Sequence, residues 1–169
     1  MTDITSISIP DSVTSIGDGA FSECYSLEDI TIGDGVTSVG SSAFAHCQKL
    51  ANISVSENNP SLKLVDGHLY SKNGEVFIRY DFTKTDTYFE IPNGVKFIVR
   101  RVFFNCSSLQ SITIPFVGNT LDGTSNTHFG YIFGASSYSY NNDYVPTSLK
   151  EVIITGGTSI GSDAFSGCT

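Results

Sequence analysis

Residues 27–49, LEDITIGDGVTSVGSSAFAHCQK, decide the fold because the chain repeats them. Their pattern is L-x-x-I-x-I-x-x-x-V-x-x-V-G-x-x-A-F-x-x-C. Residues 4–26 match it, with isoleucine in place of the first leucine and of the second valine. Further copies begin at residues 50, 86, 109 and 149, and those at 50 and 109 are interrupted. Repetition with a period of this length is typical of a solenoid, in which each repeat forms one coil.

The spacing of the apolar residues predicts the form of each coil. Side chains alternate along a strand, so L-x-x-I-x-I places its isoleucines on one face and small polar residues on the other. V-x-x-V-G predicts a second short strand, followed by a glycine (Gly17, Gly40 or Gly161) where the backbone needs conformational freedom. A-F-x-x-C predicts a compact 3₁₀ or α-helical turn. Since one coil cannot bury its apolar side alone, we expect stacked coils with parallel strands about 4.8 Å apart.

The segments SITIP, VTSIG, GAFSEC and SAFAHC resemble the BspA-like leucine-rich repeats of surface proteins in host-associated bacteria and some protozoa. The resemblance covers nearly the whole chain outside the two interruptions. It implies a leucine-rich repeat solenoid that is β-rich and horseshoe-like, with short parallel strands and short 3₁₀ or α-helical turns. We expect residues 1–169 to form one such solenoid of about six coils. The resemblance also implies an extracellular location at a bacterial cell surface.

The composition excludes several classes of protein. The 169 residues are 40% hydrophobic and only 15% charged, with a formal net charge of -8. Nucleic acids and anionic membranes bind basic surfaces, so neither is an expected partner. No apolar stretch approaches the roughly 20 residues of a membrane span, and no signal peptide begins the chain. Neither end has a polar capping repeat, so we expect a segment of a longer protein whose end coils can associate end to end.

The first interruption, residues 56–85, contains KLVDGHLYSKNGEVFIRY. It predicts a β-hairpin with strands over residues 63–71 and 75–80, joined at Asn73-Gly74, because Asn-Gly between β-rich runs favours a two-residue turn. Asp66-Gly67 adds a further bend. We expect the hairpin to replace half a coil and to keep the packing continuous. The family resemblance likewise implies a structural role for this insertion.

The second interruption, residues 116–148, consists of Gly, Ser, Asn and aromatic residues without a period. Loops longer than about 15 residues are usually functional or disordered, and the aromatic content argues against disorder. Two interpretations remain open: a recognition loop, because Tyr, Ser, Gly and Asn dominate adaptable binding surfaces, or a packed flap that covers the coil it replaces. The candidate binding residues in this loop are Tyr131, Tyr138, Tyr140 and Tyr144.

The cysteines Cys24, Cys47, Cys106 and Cys168 occupy one position of the repeat. A position filled in several coils is typical of packing, and a buried cysteine behaves as a small hydrophobic residue beside the column of phenylalanines. We expect four reduced thiols, although Cys24 and Cys47 lie on adjacent coils at a spacing that a disulfide can span. The sequence has no C-x-x-C pair for zinc, no nucleophile motif and no phosphate-binding loop. It therefore predicts neither a metal, a cofactor nor an enzyme.

The outward residues of the predicted strands form two columns of mostly small polar side chains. Solenoids bind partners on such faces, and the distinctive candidates here are Asp29, Tyr88, Glu90 and Glu151. With the family resemblance, this predicts a non-catalytic binding module for a protein or a glycan on a host or neighbouring cell. Contact would be made by the strand face and the loop at 116–148. The alternative is a structural spacer that presents another domain of a longer protein, catalytic or not.

Overall fold

The computed structural model describes residues 3–168, and the predicted solenoid of short, mostly parallel strands is confirmed. The Cα positions divide the chain into two compact units. Unit 1 comprises residues 3–74 and 78–84, and unit 2 comprises residues 75–77 and 85–168. The described residues include no helix long and apolar enough to cross a membrane.

Short strands alternate with turns along both units. In unit 1 the strands are β1 (Ser6–Ile9), β2 (Ser15–Ile16), β3 (Asp29–Ile32), β4 (Ser38–Val39), β5 (Asn52–Val55), β6 (Leu62–Val65) and β7 (His68–Ser71). Strand β8 (Val76–Arg79) is divided between the units. Unit 2 contains β9 (Tyr88–Glu90), β10 (Phe97–Ile98), β11 (Ser111–Ile114), 3₁₀ turns at Phe129–Ile132 and Tyr138–Tyr140, the helical turn α1 (Asn141–Tyr144), and β12 (Glu151–Ile154).

The parallel sheets have the register that the repeat predicts. In unit 1, β3 pairs with β1 and β5, so that Asp29 lies between Ser6 and Asn52. In unit 2, β11 pairs with β9 and β12, so that Ser111 lies between Tyr88 and Glu151. The alternate, inward residues of the two middle strands are fully buried isoleucines. The predicted outward columns are therefore confirmed within each unit.

The A-F-x-x-C segments are runs of hydrogen-bonded turns in which alternate N–H groups have different partners. The N–H groups of Ser22 and Cys24 donate within the coil, to Gly19 and Phe21, over 2.9 and 3.2 Å. The N–H of Phe21 instead donates to the carbonyl of Ala43 in the next coil, over 2.9 Å. Some N–H groups of each turn are therefore satisfied within the turn, and the others are satisfied by carbonyl groups of the adjacent coil.

Left-handed residues keep these turns from becoming helices. The residue two before the phenylalanine and the residue before the cysteine have positive φ in each of four copies. They are Gly19, Glu23, Ser42, His46, Arg101, Asn105, Asp163 and Gly167. An isolated left-handed residue ends a right-handed helix. The short 3₁₀ and α-helical turns occur instead within the second interruption.

The glycine that ends the second strand has a different role from the predicted one. Gly40 does not have a positive φ. Instead, a Cβ at Gly40 would lie 2.4 Å from Oδ1 of Asp18 and 2.5 Å from its backbone nitrogen. Gly40 is therefore required by the close approach of adjacent coils, and the prediction from backbone freedom is wrong here.

The first interruption forms the predicted hairpin, in which β7 and the neighbouring strand β8 are joined through Asn73-Gly74, and the bend at Asp66-Gly67 is a second hairpin turn. Strands β6 and β7 are antiparallel and are joined by Asp66-Gly67, whose φ angles of 51 and 85° suit a two-residue turn. The prediction of one strand over residues 63–71 is therefore wrong. Residues 76 and 77 of β8 pair in parallel with β10 of unit 2. Strand β10 is the second strand of the copy that begins at residue 86. In a regular solenoid, the second strand of the preceding copy would occupy the place that residues 76 and 77 occupy here.

Asn59 fixes the start of this interruption within unit 1. Its side chain is buried and makes four hydrogen bonds. The amide Nδ2 donates to the carbonyls of Gly33 and Val36 over 2.8 and 3.0 Å, and Oδ1 accepts from the N–H groups of Ser61 and Leu62 over 2.9 and 2.8 Å. One side chain thus satisfies four backbone groups, two of them in the preceding copy of the repeat.

The second interruption also completes a coil. The N–H of Ile98 in β10 donates to Asn119, over 2.8 Å. Further on, the carbonyl of Ile132 accepts from Phe103 over 2.9 Å, and the N–H of Phe129 donates to Ala164 over 2.8 Å. Residues 129–133 therefore lie between two A-F-x-x-C turns as if they were the turn of an intervening copy. The packed-flap interpretation holds for this part of the loop.

We predict that Asn59→Ala lowers the free energy of unfolding by about 2–4 kcal/mol, because it removes the partners of three buried backbone groups and of the half-buried N–H of Ser61. Urea denaturation followed by circular dichroism measures the change. Asn58→Ala is the matched control, since Asn58 is exposed, and it should change the free energy by less than about 0.5 kcal/mol. Equal effects of the two substitutions would contradict the anchoring role of Asn59.

Candidate functional site

The outward face of unit 2 carries the most distinctive side chains of the strands. We define the acidic strand face as the outward residues of β9, β11 and β12, which are Tyr88, Glu90, Ser111, Thr113, Glu151 and Ile153. Tyr88 is 50% exposed and Ile153 is 43% exposed. Two apolar surfaces thus lie beside two exposed carboxylates.

Hydrogen bonds hold the carboxylates of the acidic strand face in place. The hydroxyl of Tyr88 donates to Oε2 of Glu90 over 2.9 Å and lies 3.4 Å from the hydroxyl of Thr113. The hydroxyl of Ser111 donates to Oε2 of Glu151 over 2.7 Å. Each carboxylate is therefore oriented but keeps acceptor capacity for an incoming donor.

The corresponding face of unit 1 carries smaller side chains and no aromatic residue. Asp29, the candidate residue there, is half-buried, and its Oδ1 accepts a hydrogen bond from Nδ2 of Asn52 over 2.7 Å. The other outward residues of β1, β3 and β5 are serine and threonine. This face offers small hydroxyl groups and no aromatic anchor.

The four candidate tyrosines of the loop have different environments. Tyr131 is buried, its ring lies edge-on to His128 at 6.0 Å, and burial raises the pKa of its hydroxyl. Tyr138 and Tyr140 are exposed by 47 and 49%, and Tyr144 is half-buried. Tyr131 thus belongs to the packed part of the loop, and the other three are accessible.

Tyr140 and Tyr144 line a cleft of about 700 Å³ within unit 2. We call this the loop cleft. One wall is the turn at residues 104–107, and the other is the chain at residues 140–148. Its lining comprises Phe104, Asn105, Cys106, Ser107, Tyr140, Asn142, Asp143, Tyr144, Val145, Pro146, Thr147 and Ser148.

Sequence reasoning missed one wall of the loop cleft. Phe104 occupies a position where the other copies with an intact A-F-x-x-C segment have Ser22, Ala45 and Ser166. The sequence did show an aromatic residue at a position that the other copies fill with small residues. This difference could not indicate a cleft, because the opposite wall comes from a segment without a repeat.

The described residues include all four cysteines, and each is a free thiol. The Sγ of Cys47 donates to the carbonyl of Phe21 over 2.9 Å. Burial, and secondarily the neighbouring Cys24, raises the pKa of Cys47 from 9.0 to about 11. Burial also raises the pKa of Cys168. Since the thiolate is the nucleophile, neither group is activated for catalysis at neutral pH.

Of the phenylalanines beside the cysteines, Phe21 and Phe44 stack as the repeat predicts, 5.7 Å apart and nearly parallel. Phe165 stacks instead on Phe129 of the second interruption, at 4.9 Å, and Phe103 is tilted against Phe133 at 6.0 Å. Within residues 3–168, no group of three or more His, Cys, Asp or Glu side chains is placed to hold a metal ion. The phenylalanine rings of the A-F-x-x-C segments therefore contribute to packing between neighbouring coils.

The sequence and the structure both match known repeat proteins. The family model described as the BspA type leucine rich repeat region matches residues 1–73 and 78–169, in 6 copies. No protein of curated function matched the sequence.

Solved structures of bacterial proteins share the fold. A leucine rich cell surface protein from Faecalibacterium prausnitzii is 26% identical with a TM-score of 0.58, and the match covers 98% of this chain and 45% of that protein. The pneumococcal vaccine antigen PcpA is 26% identical with a TM-score of 0.53, over 66% of this chain and 34% of the antigen. A leucine-rich repeat protein from Eubacterium ventriosum is 19% identical with a TM-score of 0.60, over 96% of this chain and 52% of that protein. The chain thus spans between about a third and a half of these proteins.

We predict that Cys47 in the folded protein reacts with iodoacetamide about 100-fold more slowly than in the urea-unfolded chain, because a pKa raised by about two units leaves about 100-fold less thiolate. Site-resolved mass spectrometry at a pH near 8 measures both rates, and the half-buried Cys106 gives an internal comparison. Equal rates at Cys47 in the folded and unfolded states would contradict its assignment as a buried packing residue.

Proposed function

The chain belongs to the BspA-type leucine-rich repeat family, and we propose that it is a non-catalytic binding module of a bacterial cell-surface protein. The surface location is supported by the description of the Faecalibacterium prausnitzii protein as a cell surface protein. The raised pKa values of Cys47 and Cys168 argue against a nucleophilic role for these two thiols.

The observation that carries this proposal is the acidic strand face. Tyrosine is a frequent anchor of protein interfaces, because it buries a large rigid surface and keeps a hydroxyl available. Tyr88 and Ile153 supply exposed apolar surface, and Glu90 and Glu151 flank it with negative charge. The chemistry favours a protein partner whose own surface is basic around an apolar centre.

Rigid presentation supports the same proposal. The three strands of this face are held by a continuous parallel ladder, and Glu90 and Glu151 are oriented by neighbouring hydroxyl groups. Less conformational entropy is then lost when a partner binds. Repetition of such faces along a longer protein would raise avidity without new kinds of contact.

The second candidate function, a structural spacer, is favoured by the strand face of unit 1. That face carries small polar groups, and its amide and carboxylate, Asn52 and Asp29, bond to each other. A spacer would bind nothing saturably on either strand face, which separates it from the binding module by experiment.

We predict that the purified protein binds saturably to decellularised mammalian epithelial matrix and that Tyr88→Ala weakens this binding at least about fivefold, as expected for an interface anchor. Fluorescence-detected binding isotherms measure the affinity, which should also fall as salt concentration rises because Glu90 and Glu151 contribute. Tyr25→Ala is the matched control, since Tyr25 is a 54% exposed tyrosine of unit 1 outside the face. The spacer would be favoured instead by unsaturable binding, or by equal losses in the two variants.

A further inference from the structure

We propose that the loop cleft of unit 2 is a binding site for neutral carbohydrate. This inference rests on the proposed function, since it gives the same binding module a second binding site and names the class of ligand for that site. The cleft is separate in sequence from the acidic strand face, since its walls are residues 104–107 and 140–148.

The walls of the loop cleft are fixed before any ligand arrives. Asn141 is fully buried behind the cleft. Its Oδ1 accepts from the N–H of Gly130 over 2.9 Å, and its Nδ2 donates to the carbonyls of Ala164 and Ser166 over 3.1 and 2.9 Å. At the other end of this wall, the hydroxyl of Ser148 donates to Leu109 over 2.7 Å. A site anchored at both ends loses little entropy when it binds.

The opposite wall is equally constrained. Phe104 and Asn105 belong to a turn in which the N–H groups of Phe104 and Cys106 donate within the coil, to Arg101 over 3.0 Å and to Phe103 over 3.2 Å. Asn105 has a φ of 61°, a left-handed conformation that asparagine tolerates better than most residues. Its side chain is exposed at the rim of the cleft.

The lining combines aromatic rings with neutral polar groups. Phe104, Tyr140 and Tyr144 supply rings, and the remaining polar side chains are amides and hydroxyls apart from one carboxylate. A sugar ring has an apolar C–H face that packs against an aromatic ring, and hydroxyl groups around its edge that both donate and accept. Amides and hydroxyls likewise both donate and accept, so this lining matches a saccharide on each count.

Charge argues against other small ligands. Asp143 is the only charged residue that lines the cleft in the described part of the chain. Phosphates, nucleotides and acidic sugars are usually held by Lys or Arg, and a carboxylate repels them. The carboxylate of Asp143 can instead accept hydrogen bonds from neutral hydroxyl groups. The volume of about 700 Å³ lies within the range of ligand pockets, about 300–1,000 Å³.

Titration of the full chain with defined oligosaccharides tests the proposal. The probes are cellohexaose, maltohexaose, xylohexaose, mannohexaose and lacto-N-tetraose, with sialylated lacto-N-tetraose as the acidic counterpart. We expect at least one neutral probe to bind with a Kd below about 1 mM. Its effect on the amide NMR spectrum should be confined to residues 104–107, 140–148 and their immediate neighbours.

Two exposed tyrosines of the same loop provide a matched comparison. Tyr140→Ala removes a ring that lines the cleft and should weaken binding of that probe at least about tenfold. Tyr138 is exposed to nearly the same extent but does not line the cleft, so Tyr138→Ala should leave the affinity within about twofold. Thermal unfolding verifies that both variants fold, and Asn142→Ala, at a second exposed lining position, repeats the test.

The proposal would be overturned if no neutral probe bound at concentrations up to about 10 mM, or if the sialylated probe bound more tightly than the neutral ones. It would also be overturned if the NMR changes lay outside residues 104–107, 140–148 and their neighbours, or if the Tyr140 and Tyr138 variants lost equal affinity. A peptide that competes for the cleft while no oligosaccharide binds would also overturn it. Tyr88→Ala should leave oligosaccharide binding unchanged. Loss of matrix binding in Tyr88→Ala without any oligosaccharide binding would therefore reject this inference and keep the proposed function.

Discussion

The hydrogen bonds that each coil donates to the next are the constraint on which the rest of the structure depends. In the A-F-x-x-C turns, alternate N–H groups bond inside the coil and the others reach the adjacent coil, as Ser22 and Phe21 do. The left-handed residues in each turn make this alternation possible. A coil that lacked its own backbone at this place would leave its neighbours with unsatisfied buried groups, which is costly. Any interruption of the repeat must therefore supply substitutes.

The two interruptions supply such partners at different places. In unit 1 the side chain of Asn59 bonds the carbonyls of Gly33 and Val36, between the two strands of the preceding copy, and two N–H groups of its own segment. In unit 2 residues 129–133 take the place of a turn between those of neighbouring copies, and Asn141 secures them from behind. The segment 136–148, which contains Asn141, also exposes Tyr138 and Tyr140. The loop therefore packs and presents side chains at the same time.

The features that recur in every copy of the repeat were predictable from the sequence, whereas those formed by the two interruptions were predictable only in part. Register, the outward columns and the stacking of Phe21 on Phe44 follow from the repeated pattern, so the positions of Asp29, Tyr88, Glu90 and Glu151 were predictable. The turn at Asn73-Gly74 was predictable, but the division of residues 63–71 into two strands was not, because Asp66-Gly67 suits a bend within a strand as well as a hairpin turn. The loop cleft was not predictable, since it joins a turn of one copy to a segment without a repeat, and no spacing relates Phe104 to Tyr140.

Amide hydrogen exchange of the free protein, resolved by residue, tests most directly whether the second interruption completes a coil. The N–H of Phe129 donates to Ala164, and that of Phe103 donates to Ile132. If these bonds continue the ladder, both amides should exchange as slowly as those of the middle strand β11, by local opening close to global unfolding. Exchange of either amide at the rate of an unprotected loop would show that the interruption leaves the coil open, and would contradict the account.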